Sequence, residues 1–351
     1  MTAPDRRLVA AVQANCHIAD ARHARSMTLC TYLLEMRELY RWEQGIALGM
    51  PLARADVGAW LAAREALWER EFEDAAGYSP LPLAQGLVDP FDEAAVNPAL
   101  VPSGLVYGAG IGRFGKPQFF LAELERDEVR DGVRVQVAGR EYARDLAPAA
   151  ATARGGTITV RLQTLTRLLW EKAEAWEGKR PDGALKAAFD AYGFAADARP
   201  ALERMAAAET ETLILHELGE VRAGRLLGPR WEAMLAGFDD RHAELVARAA
   251  RDHLADSLVT LPTLLDRGAP GPLHFWFANL DGMRRELLPR AAPAYAAWRG
   301  GDDGRALRAA ATAGAAHWED VCTRLLDLHA QHGVGVGAAI SVLLPASLAL
   351  D

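Results

Sequence analysis

The hydrophobic period of this chain changes twice along its length, and that change limits the folds open to it. Up to about residue 75, and again from 162 onward, apolar residues recur every three or four positions, the period of a helix with one buried face. Between 104 and 162 the texture is different. The runs LVYGAG, PQFFLAELE, GVRVQVAG and GTITVRL are short and rich in Val, Ile and aromatics, with Gly112, Gly115, Gly132, Gly139 and the Gly155–Gly156 pair between them. Such runs are strands, and Asp131–Gly132 is a pair suited to a tight hairpin turn. The expected class is α+β, predominantly α-helical: a helical bundle with a small β-rich insertion.

The helical period assigns helices to about 5–24 (Val9, Val12, Cys16, Ala19, His23), 27–44 (Leu29, Leu33, Met36, Tyr40) and 54–75 (Trp60, Leu61, Leu67, Trp68, Phe72). From Tyr78 to Pro102 five prolines and little period predict a long surface connection. Later helices are expected at 162–177, 182–192, 198–227, 231–236, 240–260, 273–289 and 303–331. The organisation is then 1–77 as N-terminal helices, 78–103 as a Pro-rich connection, 104–162 as the β-rich insertion and 163–351 as the helical bundle. The N-terminal helices are expected to pack on that bundle.

Composition excludes some functions. A net charge of −8, with no basic cluster free of interleaved acids, argues against nucleic-acid binding, which needs a basic face. The longest apolar run, Val334 to Leu350, is broken by Gly335, Gly337, Ser341 and Pro345 and falls short of the roughly 20 residues of a membrane span; it predicts a buried C-terminal segment. The N-terminal residues are interrupted by Gln13, Asn15 and His17 and do not form a signal peptide. Cys16, Cys30 and Cys322 are odd in number and widely spaced, which fits a reducing cytoplasm better than a disulfide framework. Cys16 and Cys30 are expected as small buried hydrophobes inside helices.

The segment most informative about chemistry is ETETLILHELGEVRAGRLLG, 209–228. It holds H-E-x-x-E. On a helix His216 and Glu220 are i and i+4 and share a face, which Glu209, seven residues before His216, joins. A zinc protease needs a second histidine where Glu220 stands, so that assignment fails. In RHAELVARAARDHLADSLVTLP, Asp252 and Asp256 are again i and i+4, opposite Leu254, Leu258 and Leu261. One apolar stripe and one carboxylate stripe is the layout of a metal-binding bundle helix, and His253 stands close by. The first helix offers His17, Asp20 and His23 at i, i+3 and i+6.

The candidate metal ligands are therefore His216, Glu220, Asp252 and Asp256, with His17, His23 and Glu209 for the rest of the shell. Glu217 is the candidate catalytic acid or base. Oxygen and imidazole donors without thiolate suit iron, manganese or zinc. Two plainer readings stand beside this one: structural ion pairs, with Arg222 and Arg225 neutralising the glutamates, and a metal-free acid–base cluster.

The other motifs are weaker. Gly110-Ile-Gly112-Arg-Phe-Gly115 fits G-x-G-x-x-G, but a strand follows it rather than the helix a dinucleotide site needs. A glycine-rich hairpin is expected. No G-x-S-x-G occurs. His317, His329 and His332 are expected to be solvated or capping, and the nine tryptophans mostly core or partner-facing anchors.

The strings CHIADARHA (16–24), LCTYLLEMRELYRWEQG (29–45) and LILHELGE (213–220) resemble an uncharacterised bacterial family known by a locus-tag name, and the resemblance runs the length of the chain. It implies no activity, cofactor or site residue, only that the first two helices and the HELGE helix go together. The expectation from the residues is a cytoplasmic metal-dependent enzyme, by redox chemistry or by hydrolysis as in helical phosphohydrolases, acting on a small-molecule substrate. The rival is a binding or assembly protein that meets a protein partner through the β insertion and exposed aromatics. A homodimer is compatible with either.

Overall fold

A computed structural model of the chain describes residues 4–112, 115–343 and 345–350. The chain is α+β and predominantly helical, and it divides into two compact units.

The first unit comprises residues 1–130, 134–152 and 159–170. It holds α1 (Arg6–His23), α2 (Leu29–Glu43), α3 (Arg54–Asp74), β1 (Leu81–Leu83), β2 (Gly86–Val88), α4 (Glu93–Leu100), β3 (Leu105–Ile111), β4 (Pro117–Arg130), all but the first residue of β5 (Val133–Arg144), parts of β6 (Ala151–Arg154) and β7 (Thr157–Arg161), and the first half of α5 (Leu162–Glu177). β1 and β2 form a hairpin, and the other strands form one sheet in the order β3-β4-β5-β7-β6. β3 and β4 are antiparallel, with Tyr107 opposite Leu121 and Ala109 opposite Phe119. Strand alternation sends Tyr107, Ala109, Phe119 and Leu121 into a core shared with Leu8, Val12, Cys16 and Ala19 of α1. Val106, Phe120, Ala122 and Ala138 pack in a separate cluster. Gly108 is needed here, because a Cβ would lie 2.1 Å from the Phe120 ring. β4 turns into β5 through Asp131 and Gly132, both at positive φ (50° and 72°), the backbone of a type I′ hairpin.

The second unit comprises residues 131–133, 153–158 and 171–351. Its helices are α6 (Ala184–Tyr192), α7 (Ala198–Leu227), α8 (Pro229–Ala236), α9 (Arg241–Ala255), α10 (Leu261–Arg267), α11 (Pro270–Ala278), α12 (Gly282–Leu287), α13 (Ala291–Arg299), α14 (Arg305–His332), α15 (Val336–Ser341) and α16 (Pro345–Leu348). A π turn, Asp256–Thr260, joins α9 to α10. The core gathers Leu215, Ala223, Trp231, Val246, Leu254, Leu264, Trp318 and Leu325. Asp197 and Asp240 cap α7 and α9, each side chain accepting a backbone N–H of the first turn.

Several expectations are corrected. The stretch 78–103 is not a bare surface connection: it contains the β1–β2 hairpin and α4, and Leu81 and Val96 are fully buried. Pro98 inside an eight-residue helix hides its period. The expected helix 240–260 gives way to the π turn at Asp256. Pro262 lacks the N–H that Leu258 would otherwise receive, and its ring crowds that carbonyl. The expected helix 273–289 is two short helices interrupted before Gly282, whose φ is 49°. β6 went unread because ATAR carries little strand signal. Cys30 is exposed near the start of α2, whereas Cys16 is buried. At the glycine loop, Arg113 and Phe114 lie outside the described residues, as does Leu344 of the C-terminal run. β3 and β4 pair as antiparallel strands on either side of the glycine loop, and Val336, Ile340 and Leu348 are buried. No helix among the described residues is long and apolar enough to cross a membrane.

Candidate metal centre

Two helices of the second unit approach each other at one glycine. A Cβ on Gly219 would lie 2.4 Å from the carbonyl oxygen of Ala255, so α7 passes against the end of α9 at a distance only glycine permits. The approach brings the polar faces of both helices together. One ligating atom from each of His216, Glu220 and Asp252 falls within 4.8 Å of the other two. Among the described residues this is the one group of three His, Cys, Asp or Glu side chains so close.

His216 is oriented from behind. Its Nδ1 lies 2.8 Å from Oδ1 of Asp256, and its Nε2 faces Glu220 Oε1 at 3.7 Å. Asp256 is itself buried, and its Oδ2 accepts from Trp276 Nε1 at 2.9 Å and from the Arg284 guanidinium. With Asp256 engaging Nδ1–H, Nε2 is the ring nitrogen left to meet a metal once it gives up its proton, the arrangement behind a metal-ligating histidine. Burial alone would lower the His216 pKa, but the charge of Asp256 overrides it and lifts the value to about 10. Asp256 goes the other way: burial opposes ionisation, yet His216 and Arg284 hold it well below the usual carboxylate range.

The remaining carboxylates differ among themselves. Glu220 accepts from Arg251 Nη2 with both oxygens at 3.1 Å. Asp252 makes no hydrogen bond or ion pair among the described residues, and burial raises its pKa against the opposing charges of His216 and Arg284. Glu217 also lacks a hydrogen bond, and burial and the charge of Glu220 push it up to about 7. Its carboxyl feels His216, Glu220, Arg251 and Asp252, so it belongs to the same electrostatic cluster although it sits on a different helical face.

The other residues singled out from the sequence have separate surroundings. Glu209 is buried and accepts from the Tyr192 hydroxyl at 2.9 Å; burial pushes it up to about 8. His253 donates Nε2–H to the Arg284 carbonyl at 2.7 Å and stacks on Trp318, and burial keeps it neutral with a pKa of about 4. His17 and His23 lie in the first unit. His17 accepts from Trp68 Nε1 at 3.3 Å and abuts Arg64, and burial with that cation lowers it to about 3. The His23 pKa is lowered by burial, Lys116 and Arg22. Asp20 accepts the backbone N–H of Leu146 and pairs with Lys116 at 2.6 Å.

Sequence reasoning missed the cations. Arg251, adjacent to Asp252, neutralises Glu220, while Arg222 and Arg225 are exposed. It also missed a buried network in the first unit, where Lys116 joins Asp20 to Asp145 and Arg161 joins Asp145 to Glu141. The readable signal was Lys116, one of only four lysines, directly after the glycine loop.

No curated protein and no solved structure matches the chain. Two family models do. The N-terminal domain of a family of unknown function (DUF6866) matches residues 7–161, and the C-terminal domain of the same family matches 166–347. The chain therefore belongs to the DUF6866 family and carries its N-terminal and C-terminal domains in order.

Proposed function

We propose that the second unit holds a divalent transition metal, iron, manganese or zinc, on His216, Glu220 and Asp252, and that the protein is a metal-dependent enzyme acting on a small molecule. The observation that carries this reading is Asp252. Ion pairing accounts for Glu220 through Arg251 and for Asp256 through Arg284 and His216, but Asp252, with a ligating atom within 4.8 Å of both His216 and Glu220, makes no hydrogen bond or ion pair among the described residues. A half-buried carboxylate without a hydrogen-bond partner among the described residues is destabilising, and a cation shared with His216 and Glu220 offsets that cost. One histidine and two carboxylates suit hard or borderline metals.

A bound cation would supply Lewis acidity to a substrate oxygen. Asp256 fixes the tautomer and rotation of the His216 ring, and Arg251 holds Glu220. Glu217, with its pKa near neutrality, is suited to move a proton beside the cluster. Free cysteines at 16, 30 and 322 support a cytoplasmic location.

The test is metal content by inductively coupled plasma mass spectrometry, on protein purified without a His tag or chelator. A His216→Ala/Glu220→Ala variant serves as control. Near-stoichiometric metal in the parent, absent from the folded variant, is the expected result. No metal in either after reconstitution with iron, manganese and zinc would sink the proposal. The binding-protein reading would then take precedence, since Leu29, Leu33 and Leu34 of α2 are exposed and such surfaces meet partners.

A further inference from the structure

The first unit contains a pocket that the metal reading does not use. It has a volume of about 350 Å³ and is lined by the last turns of α2 and the loop after it, by Arg144 at the end of β5, and by the first turns of α5. Three of its lining residues are arginines, Arg41, Arg144 and Arg167, beside one acid, Glu38, which Arg37 and Arg41 neutralise, and Trp42 lines it with Gln163 and Thr166.

Two of these arginines are partnered. Arg41 donates to Glu38 at 3.1 Å and to the carbonyls of Ala47 and Met50 at 2.8 Å, and Arg167 donates to Glu35 at 3.0 Å. Arg144 differs. Its side chain is 3% exposed and forms an ion pair with Glu141 Oε2 at 3.4 Å, a charge pairing rather than a hydrogen bond. Its guanidinium makes no hydrogen bond among the described residues, and its Nε is buried without an acceptor. The other oxygen of Glu141 is taken by Arg161 at 2.9 Å and Thr164 at 2.7 Å. Nor is the Trp42 ring a full substitute, with its centroid 5.6 Å from the Arg144 guanidinium carbon.

A buried guanidinium with unmet donors is costly, and a guanidinium fork that lines a pocket matches an oxyanion in geometry and charge. We propose that this pocket binds a small oxyanion, a carboxylate or phosphate on a ligand with an apolar body, and that Arg144 receives it. Trp42, Ile46 and Leu48 provide the apolar wall. The amino end of α5, a 16-residue helix, contributes its positive dipole end. The volume is at the small end of ligand pockets, roughly 300–1,000 Å³, which limits the ligand to a metabolite-sized molecule.

Isothermal titration calorimetry of the full chain at low salt tests this, with inorganic phosphate in one arm and benzoate in the other. Two variants accompany it. Arg144→Lys removes the fork. Gln163→Glu keeps the acceptor that now receives the backbone N–H of Glu141 at 2.9 Å while placing a fixed carboxylate beside the bound anion. The expected result is saturable binding of at least one probe, weakened by about tenfold or more in Gln163→Glu and abolished in Arg144→Lys. The stronger arm identifies the oxyanion. No binding of either probe up to about 10 mM, or binding that Gln163→Glu leaves unchanged, would overturn the proposal. Gln163→Glu alone decides if Arg144→Lys does not fold.

Discussion

Replacing Gly219 with alanine tests whether the crossing of α7 and α9 makes the metal centre. The added Cβ would meet Ala255 O at 2.4 Å, its carbonyl carbon at 2.9 Å and its Cα at 3.1 Å. All three are backbone atoms, so no side chain can swing aside. Ordinary carbon-to-oxygen contact is roughly 3.3–3.6 Å, and the helices must separate locally by about 1 Å. Overpacking of this kind costs about 1–3 kcal/mol, and the better helix propensity of alanine returns roughly 1 kcal/mol. The net loss is about 0–2 kcal/mol, a fall in Tm of up to roughly 8 °C for a unit of this size.

The site should suffer more than the fold. His216 and Glu220 move with α7 while Asp252 moves with α9, and metal ligands must converge within about 2.0–2.5 Å of one point. The variant should therefore remain folded by circular dichroism, with a lower Tm, and lose most of its metal under competition with a weak chelator. A variant with unchanged Tm and full metal content would refute both the close crossing and its role in assembling the ligands.

Three further outcomes follow from buried charges. Asp252→Asn should raise the Tm of metal-free protein, by about 0.5–2 kcal/mol in stability, while lowering metal occupancy; a fall in both would mean that Asp252 has a structural partner. Glu209 keeps its proton up to about pH 8 in the fold but only to about 4.5 when unfolded, so the folded state binds the extra proton between these values. Stability should fall by a few kcal/mol as pH rises from about 5 to 9, and Glu209→Gln, which can still accept from Tyr192, should flatten that slope in urea titrations. Lys116→Met should cost about 3–5 kcal/mol at neutral pH, because Asp20 and Asp145 lose the ammonium between them; urea midpoints that do not move would show that the network carries no stability.

The helices were readable because each buries one stripe at a regular spacing. The whole of 198–227 and of 162–177 follows from that period and from Asp197 and the Gly228 stop. Strands β3, β4, β5 and β7 were readable from β-branched and aromatic runs, and the Asp131–Gly132 turn from the backbone that this pair permits. Short elements were not: α4 spans about two turns with Pro98 inside it, and ATAR has one β-branched residue. At the site, His216, Glu220 and Asp252 follow from i, i+4 reasoning, because helix geometry fixes which residues share a face. Arg284 and Trp276 do not, because they reach Asp256 from α12 and α11 through tertiary packing. The Gly219 contact was also invisible, since glycine inside a helix signals a weak helix as readily as a close crossing.

The position of the π turn links these observations. Asp252 and Asp256 stand one α-turn apart, since the Asp256 N–H still bonds the Asp252 carbonyl, and the chain changes pitch only beyond them; the two aspartates nevertheless take different roles. Asp256 is buried and fully engaged by His216, Trp276 and Arg284, whereas Asp252, close to His216 and Glu220, makes no hydrogen bond or ion pair among the described residues. A cluster selected only for stability would pair Asp252 or replace it with a neutral residue, since its burial disfavours the charge even with His216 and Arg284 nearby. Retaining it next to an oriented imidazole and a second carboxylate makes physical sense when a cation completes the set. A π turn is frequent at functional sites, and this one follows directly on the Asp252–Asp256 pair.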